Sequence, residues 1–70
     1  MDITRIGVRV RAARQNKGLD IGDLAKLADL HYNTVQRLET GVATDTSLEV
    51  VLKLSRALKV PVDELTRGCL

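Results

Sequence analysis

Tyr32, Asn33, Gln36 and Arg37 are the residues of this chain whose types and spacing best suit a binding chemistry. On a helix each residue turns by about 100° from the last. Over 32–38 these four therefore share one arc, while Val35 and Leu38 point the other way. A phenol, two amides and a guanidinium side by side are groups that hydrogen-bond base edges and phosphates. The bland reading of such an arc is a solvated helix face, so its meaning depends on what surrounds it.

Other chemistries find few residues to work with. His31 and Cys69 are the single histidine and cysteine, far from each other in the chain, whereas zinc needs several such ligands at fixed spacing. Asp63 and Glu64 are adjacent near the start of a short helix and read as complements to its dipole, not as a catalytic pair. There is no glycine-rich phosphate loop. The expectation is a non-enzyme with no metal and no cofactor.

Composition narrows the class further. Seventy residues with 44% hydrophobic and 29% charged side chains suit one small folded domain, 1–70, with a single core. Tyr32 is the only aromatic, so that core must be aliphatic. A lone cysteine excludes an internal disulfide, and no apolar run is long enough to span a bilayer. A cytoplasmic protein with no membrane partner is expected. The net charge is only +2, but Arg5, Arg9, Arg11, Arg14 and Lys17 crowd the first segment. That basic stretch is either a solvated face or a phosphate-facing one.

The apolar period predicts an all-α chain with helices over about 3–16, 20–27, 31–39, 47–58 and 61–67. Ile3, Ile6, Val10 and Ala13 form the first stripe, with Gly7 leaving room for a neighbour and Lys17-Gly18 as the stop. Asp20 is placed to cap the second helix, Asp29-Leu30 makes a corner, and Gly41 ends the third. Thr46 and Glu49 have the spacing of a capping box. Leu48, Val51, Leu52, Ser55 and Leu58 then line the inner face of the fourth helix, widened by Leu54 and Ala57, with Glu49 and Lys53 paired outside. Pro61 suits the first turn of the fifth, which buries Leu65, and residues 68–70 read as a frayed tail.

From Gly7 to Leu65 the chain resembles the lambda-repressor/Cro, or xenobiotic-response-element type, helix-turn-helix domains. The resemblance rests on Leu19, Leu24, Ala25, Ala28, Leu30, Thr34, Val35, Arg37, Leu38, Glu39 and Gly41, then SLEVVLKLSRALKV and VDEL. It implies a compact five-helix fold with the helix-turn-helix at helices 2 and 3. It also implies a sequence-specific transcriptional regulator, of bacterial, phage or mobile-element origin, with the third helix in the major groove of double-stranded DNA. Carried over by position, Tyr32, Asn33, Arg37 and Gln36 read bases. Arg37 suits guanine O6 and N7, Asn33 suits adenine N6 and N7, and each bidentate pair is worth about 1–3 kcal/mol of discrimination. Tyr32 suits a thymine methyl or a phosphate. Phosphate contacts are expected from Arg9, Arg11, Lys17, His31, Thr34, Thr40 and Thr44, and a structural ion pair from Arg14 and Glu39. A homodimer on a pseudo-palindromic operator is expected, with an interface around Val60, Val62 and Leu65; for Leu65 a core role is the simpler reading.

Three positions depart from the family pattern. Asp29 stands where glycine is usual, a mild change because aspartate tolerates positive φ. Ile21 stands where glutamine commonly holds the DNA backbone, and cannot donate that bond. The loop after the third helix, 40–45, lacks the usual lysine or arginine. Fewer phosphate charges imply weaker binding and a shallower salt slope, about −0.9 per phosphate. These departures keep a rival in view: a regulator on the same fold that binds a protein partner, as an antitoxin or an antiactivator target does.

Overall fold

The computed structural model describes residues 3–43 and 46–67, with side chains from Arg5 onward. Among them lie five helices and no strand: α1 Ile3–Asn16, α2 Ile21–Ala28, α3 Tyr32–Glu39, α4 Leu48–Leu58 and α5 Val62–Thr66. The side chain of Ile3, Thr44 in the loop and the tail 68–70 lie outside the described residues.

Helix ends follow local chemistry. Asp20 accepts from the Asp23 amide at 2.7 Å, and the Asp23 carboxylate accepts from the Asp20 amide at 3.3 Å, which satisfies two otherwise unpaired N–H groups. The capping box therefore sits on α2. At α4 the cap is Ser47, one residue later than expected, and its hydroxyl accepts from the Val50 amide. Glu49 falls one position short of the box and reaches Lys53 at 3.5 Å instead. Pro61 is likewise the N-cap of α5, just outside its first turn.

Two helices end in the left-handed conformation without glycine. Asp29 and Lys59 both have φ 56°. The same closure explains each: Leu30 N–H donates to Ala25 O at 2.9 Å, and Val60 N–H to Ser55 O at 3.1 Å. The Ser55 hydroxyl answers by donating to Val60 O, which secures the α4–α5 corner from both sides.

The core is aliphatic throughout. Ile6, Val10, Leu24, Ala25, Ala28, Val35, Leu38, Val51, Leu54, Leu58 and Leu65 are buried. Leu54 is the centre of α4's inner face and not its margin, since Val51, Leu54 and Leu58 follow the three- and four-residue steps. Leu48 does not share it. At 68% exposed, it begins the helix beyond the edge of the core. α1 packs on both α3 and α5, while α2 crosses α3 and rests on α4. Gly7 makes the first of these contacts possible, because a Cβ there would overlap the Leu38 carbonyl of α3.

Candidate nucleic-acid interface

α3 is held by one side and open on the other. Val35, Leu38 and Glu39 are buried, whereas Tyr32, Asn33, Gln36 and Arg37 are exposed along the opposite arc. The short helix could not keep this orientation by propensity alone. Packing of Val35 and Leu38 sets its roll, and an ion pair sets its far end.

Arg14 of α1 donates from Nε to both oxygens of Glu39, at 2.9 and 3.2 Å, and from Nη2 to Oε1 at 2.9 Å. Its Nη1 donates to Leu19 O at 2.8 Å. One guanidinium thus ties α1, the α1–α2 connection and the end of α3 together. The side chains are 12% and 3% exposed, respectively. Hydrogen bonding to Glu39 is the main reason that Arg14's pKa lies above its ordinary value. Burial opposes this, and the charges of Glu39 and Asp20 reinforce it. Arg14 is committed to the scaffold and is not available to phosphate.

The loop after α3 is also anchored, through Ala43 N–H to Arg37 O at 3.0 Å. The Thr40 hydroxyl donates back to Gln36 O at 2.9 Å, at the end of α3. Thr34 and Arg37 of α3 face Ala43, Thr46, Ser47 and Val50 across an open groove of about 370 Å³. Thr46 and Ser47 were readable in sequence only as helix-start residues. Only the fold, which brings the start of α4 to the edge of this groove, sets them beside Arg37.

The basic residues of α1 divide between two flanks. Gly7 and Arg14 meet α3, and Arg11, four residues after Gly7, lies on that same side and is exposed. Arg9 lies on the opposite flank: with Lys17 it lines a groove against Val60, Glu64 and Leu65 of the α5 region. The structure therefore places Arg9 and Lys17 on the α5 side of α1 and not beside α3. His31 is exposed at the N-cap of α3 and makes no side-chain cap bond. Leu65 is fully buried within the chain, which removes it from any dimer surface. Val60 and Val62 are half-buried and pack against the core from outside.

Among the described residues no helix is long and apolar enough to cross a membrane, and no group of His, Cys, Asp and Glu could hold a metal ion.

With this geometry the chain matches a known class. The helix-turn-helix family matches residues 10–65, and the chain belongs to it. Family and fold are those of a DNA-binding regulator and not of an enzyme. The crystal structure of the restriction-modification controller protein C.AhdI from Aeromonas hydrophila superposes with a TM-score of 0.85. It is 38% identical, over 91% of this chain and 96% of that one. A protein of Archaeoglobus fulgidus, whose name gives it a provisional HTH-type transcriptional regulatory role, is 38% identical over 50 residues. That stretch is 71% of this chain, which spans only 16% of the longer relative.

Proposed function

We propose that the chain is a transcriptional controller that binds a pseudo-palindromic operator as a homodimer, with α3 in the major groove. The observation that carries this reading is the polar arc of Tyr32, Asn33, Gln36 and Arg37, exposed on a helix whose other side is buried. Arg37 and Asn33 supply the bidentate base contacts. Thr34, Thr46 and Ser47 border the groove that would receive a phosphate, with Arg11 and His31 toward the α1 side and the start of α3. The likeness to C.AhdI, which nearly spans that chain, supports a controller role of the kind its name states.

Dimerisation is favoured because one helix reads only a few base pairs, and pairing doubles the site. Val60 and Val62 are the residues left for that contact. Sedimentation that shows only monomer at high concentration, with and without operator, would remove it.

The test of the whole reading is Arg37→Ala, assayed for operator affinity and for unfolding stability. Loss of binding of about 1–3 kcal/mol at unchanged stability supports base reading. Unchanged binding would instead favour the protein-partner reading, which draws on the uncharged residues Thr40, Gly41, Val42 and Ala43 after α3.

A further inference from the structure

Ile21 opens α2 and Tyr32 opens α3, yet the two border one cleft of about 400 Å³, together with Arg14, Asp20 and Gly22. Part of Ile21 packs against the core, and the rest is accessible. Tyr32 is 50% exposed. Gly22 adds no side chain to the opening, where a Cβ would meet Asp20 Oδ1. The cleft therefore presents an isoleucine and an aromatic ring at the leading end of the recognition helix.

Residues at that end of such a helix are the ones that meet base edges, while the preceding helix crosses the backbone. In the major groove the C5 methyl of thymine is the apolar feature that distinguishes one base from another. We infer that Ile21 and the ring of Tyr32 form a thymine-methyl site within the half-site that α3 reads, which makes Ile21 a specificity-determining residue. This rests on α3 reading DNA as proposed above. The ring and not the hydroxyl of Tyr32 carries the contact.

The experiment uses the full chain and an operator obtained by selecting bound duplexes from a random pool. Each thymine is then replaced singly by deoxyuridine, which removes the methyl and leaves base pairing intact. One thymine of the half-site should show binding weakened about fourfold, the equivalent of one methyl returned to water. Ile21→Ala and Tyr32→Ala should each abolish that penalty, and Tyr32→Phe should retain it. Tyr32 is the more exposed of the two, so its variants decide the outcome if Ile21→Ala fails to fold. The inference is overturned if deoxyuridine is tolerated at every thymine, if the selected half-site contains no thymine, or if Tyr32→Ala or a folded Ile21→Ala keeps the parent's penalty. Failure of the DNA reading looks different: no sequence is selected, or Arg37→Ala binds as the parent does.

Discussion

Breaking the Arg14–Glu39 pair should cost more stability than any exposed ion pair in the molecule, and the cost should be unequal for its two ends. Removing one partner of a buried pair typically costs about 3–5 kcal/mol, because the other charge is left without compensation. Arg14→Ala strands a carboxylate that is only 3% exposed, so it belongs near the upper end of that range. Glu39→Ala leaves a guanidinium that keeps its bond to Leu19 O and reaches water through its 12% exposure, so it belongs near the lower end. The double variant should cost little more than the worse single, which gives a coupling of about 2–3 kcal/mol. A chain of 70 residues commands only about 3.5–10 kcal/mol in all, so Arg14→Lys and Glu39→Gln are useful companions that stay folded. Urea unfolding followed by helical circular dichroism measures all of these. Single losses that add within about 0.5 kcal/mol would refute the coupling. The pH dependence has a definite sign. Arg14's folded-state pKa is raised, so its contribution is complete below the unfolded value and fades only as pH rises through the folded one. Arginine titrates far above neutrality, so Arg14 should add no slope to stability between about pH 6 and 9.

Three further outcomes follow from single positions. Gly7→Ala places a methyl on the Leu38 carbonyl and should destabilise by about 1–3 kcal/mol or more, read as a fall in the urea midpoint, even though alanine is the better helix former. Lys59→Gly relieves a positive φ on a lysine and should raise thermal stability by up to about 1 kcal/mol, with helix content unchanged. Leu65→Ala should cost about 2–5 kcal/mol at any protein concentration, whereas Leu48→Ser should stay within about 0.5 kcal/mol, a contrast that denaturation at two concentrations resolves.

Much of this fold was legible because its signals are local. Aliphatic residues at three- and four-residue steps mark all five helices, and Asp20, Gly18, Gly41 and Pro61 lie within two residues of the real boundaries. A cap depends on a side chain reaching an amide two or three residues away, so its type is visible in one dimension. Its position is less so. Thr46 and Ser47 are both competent, and in the structure it is Ser47 whose hydroxyl takes the Val50 amide. Leu48 opens the same helix yet is exposed, since being apolar does not place a residue inside.

The exposed arc Tyr32, Asn33, Gln36 and Arg37 was written in the spacing alone, because a helix buried through Val35 and Leu38 can turn no other side outward. Arg14, Arg9 and Arg11 are another matter. The family resemblance already set Arg14 apart as the partner of Glu39, but Arg9 and Arg11 are alike as sequence, and still one lines the α1–α5 groove and the other lies on the α3 flank. Residues on one helix are separated by rotation, and rotation has meaning only once neighbouring helices are in place. The cleft between Ile21 and Tyr32 and the groove joining Arg37 to Ser47 are of this kind. Each is made of residues from more than one helix, and no spacing within a single helix specifies it.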